Sequence, residues 1–289
     1  MFYIFHFKFY ISMIPVAFDY QKAKTVDEAI AALSGGDSKI LAGGHSLLPA
    51  MKLRLSQPAK LVDIGGIAAL KGIKEEDGEI VIGAATTHAD IAGNKLIKNY
   101  LPFFAEAASV IGDLQVRNYG TIGGSLAHAD PAADWPALVL ASNAAIEVQG
   151  SKGRRRIKAT EFFTGLFSTS LQDGEIIIAI RIPLPAEGTK TSYQKFAQPA
   201  SRFAIVGCAV MRSSDGKTNI AFTGVSDNAF RDSGAENAVS GKPLTEEAIT
   251  ASVEAAISGM NVLGDNFASD EYRRHLAKVY LKKALKAVS

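Results

Sequence analysis

Apolar positions change their period several times along this chain, and each change marks an element. Thr25-x-x-Glu28 has the spacing of a capping box and opens a helix through Leu33, which Gly35-Gly36 ends. Short apolar runs at Lys39–Leu41, Leu61–Ile64 and Glu79–Gly83 read as strands. Thr86 or Thr87 caps a helix carrying Ile91, Leu96 and Ile97, and Leu101 to Ile111 forms a more apolar one. Ala129 to Asp134 reads as a helix start with Pro131 near the first turn, the helix running on through Trp135 to Ala141. Ala145–Val148 and Arg154–Ile157 pair as a hairpin across Gly150–Gly153. Glu175–Ile182 is a strong strand that stops at Pro183-Leu-Pro185.

Beyond that proline pair the texture changes. Strands at Ser192–Phe196, Ala204–Arg212 and Asn219–Val225 come first, and helices from about Thr245 to Ser258 and from about Ser269 to Val288 follow. Strands followed by helices indicate an α+β module distinct from what precedes it. The 289 residues leave room for one large or two to three compact units, with the best boundary at the prolines.

Composition narrows the chemistry. Hydrophobic residues make up 47% of the chain and charged residues 21%, an ordinary folded balance. The net charge of +2 argues against polyanion binding, so nucleic acid is not an expected partner. The basic clusters Lys152–Arg156 and Arg273-Arg274 read as solvated surface or a partner-docking rim. Cys208 is the single cysteine and lies in the apolar run Ala204–Val210, where a buried strand residue is expected. One thiolate cannot build a disulfide framework, a structural zinc site or an iron–sulfur cluster, so a metal centre would belong to another chain. The histidines His6, His45, His88, His128 and His275 show no metal-binding spacing.

The aromatic segment Met1–Ser12 is too short to cross a bilayer as a helix and lacks the flanks of a signal peptide. Met13 reads as a more natural beginning, so residues 1–12 are expected to be an extension. No other segment is long and apolar enough to span, which favours the cytoplasm.

Two loops carry the candidate chemistry. Leu41-Ala-Gly-Gly-His-Ser-Leu-Leu48 and Gly120-Thr-Ile-Gly-Gly-Ser-Leu-Ala127 each pair two glycines with a nearby serine. Glycine lets backbone N–H groups approach a ligand without a Cβ in the way, and hydroxyls add donors, which suits a diphosphate. Neither loop fits the Rossmann or Walker pattern, and either alone reads more readily as a tight turn. Two such loops in one chain point to a divided dinucleotide cradle.

The segment Ile111-Gly-Asp-Leu-Gln-Val-Arg-Asn-Tyr-Gly-Thr-Ile-Gly-Gly-Ser-Leu-Ala-His-Ala-Asp-Pro-Ala-Ala-Asp134 resembles the signature of the FAD-binding subunit of molybdenum hydroxylases, the family of aerobic carbon monoxide dehydrogenase and xanthine dehydrogenase. Ala42-Gly-Gly-His-Ser-Leu-Leu-Pro49 matches that family's other flavin loop, and the resemblance runs from about Phe18 to near the C-terminus. It implies an α+β fold. Two subdomains of the vanillyl-alcohol-oxidase (PCMH) type, about 13–66 and 67–184, hold FAD between them, and a C-terminal α+β domain of the CO dehydrogenase flavoprotein type covers 185–289.

The resemblance also implies roles. Leu41, Ala42, Gly43, Gly44, His45, Ser46 and Leu47 would bind one side of the diphosphate, and Gly120, Thr121, Gly123, Gly124 and Ser125 the other. Asp134, with Ala133 beside it, matches an acid contacting the adenosine half; the plain alternative is a helix N-terminal acid. Ile111 and Ile177 fall at apolar positions lining the cofactor, or else in ordinary core. Lys195 matches a lysine reaching the flavin, with a surface salt bridge as the alternative. Tyr193 reads either as a flavin neighbour or as a half-buried strand residue, His45 and His128 as loop residues of geometric role, and Trp135 as helix packing. No catalytic acid or base is assigned.

The function that the resemblance implies is electron transfer. Hydroxylation would occur at a large molybdenum-cofactor partner, and electrons would pass through a small 2Fe–2S partner to FAD here and on to an external acceptor. The implied assembly is a dimer of heterotrimers. A self-contained FAD oxidase of the same superfamily and a non-catalytic nucleotide-binding module are the competing readings. The substrate and the acceptor are not encoded in this chain.

Overall fold

The computed structural model describes residues 13–34 and 36–289. The expected extension 1–12, and Gly35 of the first helix stop, lie outside the described residues. Three sheets of three or more strands follow one another along the described chain, with one two-stranded hairpin beside them. The first is a parallel sheet of β1 (Asp19–Lys22), β2 (Ser38–Leu41) and β3 (Lys60–Asp63), with β3 in the middle. Helices α1 (Val26–Leu33) and α2 (Leu47–Lys52) connect its strands. Thr25 caps α1 as expected, its Oγ1 accepting from the Glu28 N–H at 3.1 Å.

The second sheet is antiparallel and runs β4 (Ile73–Glu76), β5 (Glu79–Gly83), β10 (Ile176–Pro183), β6 (Ala145–Gly150), β7 (Gly153–Lys158). Between β5 and β6 come α3 (His88–Gly93), α4 (Lys95–Tyr100), α5 (Pro102–Val110), α6 (Leu114–Tyr119), α7 (Ile122–His128) and α8 (Trp135–Ala141). After β7 a single turn, α9 (Ala159–Phe162), leads to the small hairpin β8 (Phe163–Gly165) and β9 (Ser168–Thr169).

Strand β10 is the pivot. Its register shifts between Ile177 and Ala179, a bulge that lets two isoleucines three positions apart face the same way. Ile177, Ile180 and Ile182 therefore enter the helix-covered core with Phe104, Ile122 and Trp135. Ile176 and Ile178 face the opposite side and pack with Val62, Ile64 and Ala29 of the first sheet and α1.

The third sheet, β11 (Lys190–Ala197), β12 (Ala204–Arg212), β13 (Thr218–Thr223) and β14 (Phe230–Arg231), is antiparallel and in chain order. Its alternation is sharp. Val206, Cys208, Val210, Ile220 and Phe222 pack against α10 (Ser233–Val239), α11 (Glu246–Ala255) and α12 (Asp270–Ala287), while Ala209 and Ala221 join the core of the second sheet. Cys208 is fully buried on β12.

Four expectations are corrected. Arg273, expected on a solvated surface or docking rim, is buried, its guanidinium donating to the Ile205 and Gly224 carbonyls and to Asp265. The helix carrying Ile91, Leu96 and Ile97 is two helices, because Asn94 leaves helical geometry and its Oδ1 accepts from the Ile97 N–H at 3.2 Å. Pro131 does not begin a helix: the Asp130 carboxylate accepts from the Ala132 N–H at 2.8 Å in a turn, and α8 starts at Trp135 with Pro136 in its first turn. The strand expected through Val225 stops at Thr223, since Gly224 turns with φ +77. Among the described residues, no helix is long and apolar enough to cross a membrane.

Candidate functional site

Both glycine loops follow directly on the scaffold just described and open onto one cavity of about 540 Å³, within the usual size of a ligand site. The first loop leaves β2 and runs into α2; the second runs into α7, whose cap Thr121 accepts from the Gly124 N–H through Oγ1 at 3.1 Å. The loops touch backbone to backbone. A Cβ on Gly43 would lie 2.1 Å from the Tyr119 carbonyl oxygen and 2.8 Å from the Gly120 Cα. Any side chain there would separate the two halves.

Their hydrogen bonding divides the labour unevenly. Among the described residues, the amides of Gly43, Gly44, His45 and Ser46 donate to no protein acceptor. Gly44 has φ +73, so these successive N–H groups form an anion-accepting concavity. In the second loop the amides of Ile122, Gly123, Gly124 and Ser125 are already bonded to Thr86, Ala84, Thr121 Oγ1 and Thr121, respectively. That loop offers hydroxyls, from Thr121 and Ser125, more than amides. Its glycines serve closeness: a Cβ on Gly123 would come 2.6 Å from the Ala84 Cβ.

Most of the residues named from the sequence border this cavity: Ala42 to Leu47, Ile111, Thr121, Gly123, Gly124, Ser125, Ala133, Asp134 and Ile177. Leu41, Gly120 and Lys195 do not. Leu41 ends β2 beneath the first loop, and Gly120 lies behind it against His88. The Lys195 ammonium is engaged with Asp134, at 2.9 Å from Oδ2, and both side chains are buried. The Tyr193 hydroxyl donates to the other carboxylate oxygen. Asp134 is thus neither a simple helix-terminal acid nor Lys195 a surface ion pair. Burial pushes the Asp134 carboxyl up, opposed by Lys195 and Tyr193, which favour the charged form.

The sequence reading missed a third wall. Ser201, Arg202 and Phe203 line the cavity from the link between β11 and β12. That link is held over the site by Ala204 N–H donating to the Ala132 carbonyl at 3.0 Å, and the neighbouring sheet by Gly224 N–H donating to Pro131 at 2.7 Å. In the sequence Phe203 merely precedes the apolar run Ala204–Val210, so nothing there marked it as a site residue. His88 and Asp130 also border the site; only tertiary packing puts His88 there, 5% exposed at the start of α3.

Fold and cradle define a flavoprotein in which a dinucleotide lies between two α+β subdomains. Residues 16–185 match the FAD binding domain in molybdopterin dehydrogenase, and residues 191–288 match the CO dehydrogenase flavoprotein C-terminal domain. The chain belongs to the family of FAD-binding medium subunits of molybdenum hydroxylases; its cofactor is FAD, and it is an oxidoreductase subunit. It is 42% identical to the carbon monoxide dehydrogenase medium chain of Hydrogenophaga pseudoflava, covering 95% of this chain and 98% of that one. It is 36% identical to the glyceraldehyde dehydrogenase medium chain of Sulfolobus acidocaldarius, covering 96% and 100%. A solved carbon monoxide dehydrogenase from Hydrogenophaga pseudoflava, lacking the Mo-pyranopterin moiety, superposes with a TM-score of 0.92 at 43% identity over 95% of this chain and 98% of that chain. The four unbonded amides and the Gly43 contact fit a diphosphate-bearing cofactor.

Proposed function

We propose that this chain is the electron-relaying flavoprotein of a carbon monoxide dehydrogenase-like complex, a dimer of heterotrimers in the cytoplasm. A large molybdenum-cofactor subunit would oxidise the substrate, a small 2Fe–2S subunit would carry the electrons to this chain, and an external acceptor would take them. Bound FAD supplies a group that accepts electrons singly and releases them in pairs. The chain's own residues bind and orient. The amides of Gly43 to Ser46 and the hydroxyls of Thr121 and Ser125 take the diphosphate, Ile111 and Ile177 keep water from the apolar face, and Asp134 presents its carboxylate beside Ala133. Lys195, behind the wall, pairs with that carboxylate and favours its charged form against the effect of burial. In this reading the FAD-binding domain spans 13–184 and the C-terminal domain 185–289.

The observation that carries the proposal is the row of unbonded loop amides on a cavity shared by both subdomains. The single thiol, buried on β12, supports the division of labour, because clusters would need thiolates from another chain. Affinity purification from native cells tests it. The chain should carry FAD and bring down a molybdenum-containing and a 2Fe–2S polypeptide, and on anaerobic addition of the complex's reducing substrate, with carbon monoxide tried first, its flavin should bleach only when both are present. A solitary chain that oxidises a small substrate by itself overturns the proposal.

A further inference from the structure

We propose that His88 is a cofactor-contacting residue whose Nε2–H donates to an oxygen of the FAD diphosphate where the two glycine loops meet. This rests on the FAD reading above and assigns a donor outside both loops. Three observations converge on it.

The tautomer is fixed. The Trp135 Nε1–H can only donate, and it lies 3.1 Å from His88 Nδ1, so Nδ1 is the acceptor and the proton sits on Nε2. Burial, helped by the neighbouring His45 and Arg117, pushes the ring's pKa down to about 4. The ring is therefore neutral at physiological pH and keeps one donor and one acceptor.

The donor is unused and faces the cavity. His88 is only 5% exposed, and it borders the cavity with Ala84, Thr121 and Gly123. Among the described residues no group hydrogen-bonds to Nε2, and Nε2 is not among the fully buried unpaired atoms, so this donor keeps an accessible edge in a residue that borders the cavity. Gly120 keeps it open: a Cβ there would stand 2.7 Å from Nε2. This gives Gly120 a role although it does not itself reach the cavity.

The donor is also registered to the cradle. The His88 N–H donates to the Gly120 carbonyl at 3.0 Å, so the ring moves with the second loop. The first loop closes on the same Gly120 through Gly43. An acceptor between the loops lies where an anionic oxygen meets the free amides of one loop, the hydroxyls of the other and this imidazole.

The test titrates the full-length apo chain with FAD, with ADP, which keeps the diphosphate, and with riboflavin, which lacks it. His88→Leu should weaken FAD and ADP about tenfold or more and leave riboflavin unchanged, whereas His88→Gln, which retains a donor, should stay within about threefold. A second measurement needs no variant: in wild-type chain labelled with 15N-histidine, the Nε2–H resonance should move downfield on adding ADP. Wild type that binds FAD while His88→Leu matches it, or an Nε2–H that does not respond to ADP, overturns this inference alone. Wild type that binds no FAD overturns the reading beneath it.

Discussion

Gly43→Ala probes the cradle most directly. The added Cβ would stand 2.1 Å from the Tyr119 carbonyl oxygen, where contacts below about 3 Å are not tolerated, so the loops must part by about 1 Å. That displacement lengthens a phosphate hydrogen bond of about 2.9 Å to nearly 4 Å, beyond the range in which it stabilises. Losing two such charge-assisted bonds, at about 1.5–3 kcal/mol each, weakens FAD by about two to four orders of magnitude. Overpacking should add about 1–3 kcal/mol of destabilisation. Gly93→Ala is the control: its Cβ meets nothing within 4 Å, and its φ is outside the left-handed region. Flavin fluorescence quenching gives the affinity, and urea melts of the apo chains give the stability. If Gly43→Ala holds FAD within threefold of wild type, the two loops are not the halves of a diphosphate cradle.

Two further predictions use buried charge. The pKa of His88 is about 4 in the fold against 6.5 for the free side chain, so between those values the unfolded chain binds more protons. Stability should fall as pH drops from 6.5 towards 4, by about 3 kcal/mol from this ring. Urea melts across that window should be flatter for His88→Gln, and identical slopes refute the assignment. Lys195→Met leaves the buried Asp134 carboxylate with Tyr193 alone and should cost about 3–5 kcal/mol, of which Asp134→Asn in the same chain should recover a large part. Additive losses in that double-mutant cycle would show the pair to be uncoupled.

Long, strongly patterned stretches were legible in the sequence, and short ones were not. The Ile-rich β10, the three strands β11 to β13 and the terminal helix α12 announce themselves by alternation or length. Strand β1, Asp-Tyr-Gln-Lys, has no buried residue and owes its place to pairing with β3. Helices α2, α6 and α7 are each six or seven residues long, too short to be stable alone, and form because packing holds them. The site was legible where glycines mark close approach, at Gly43 and Gly44. It was not legible at Phe203 or His88, which reach the cavity only after distant elements dock. The sequence also could not show that the second loop's amides are bonded to Thr86, Ala84 and Thr121.

The placing of β10 has a consequence for synthesis on the ribosome. Its neighbours in the sheet, β5 at Glu79–Gly83 and β6 at Ala145–Gly150, are both made earlier, and neither pairs with the other. Until residue 183 emerges, the nascent chain carries two open strand edges and no central strand to join them. At about 5–20 residues per second that interval ends only about ten to forty seconds after initiation. Ile176 and Ile177 of the cavity arrive with this strand, and Phe203 later still. Flavin capture is thus an event of the nearly finished polypeptide, and a chain that stalls before β10 is a substrate for chaperones and proteases.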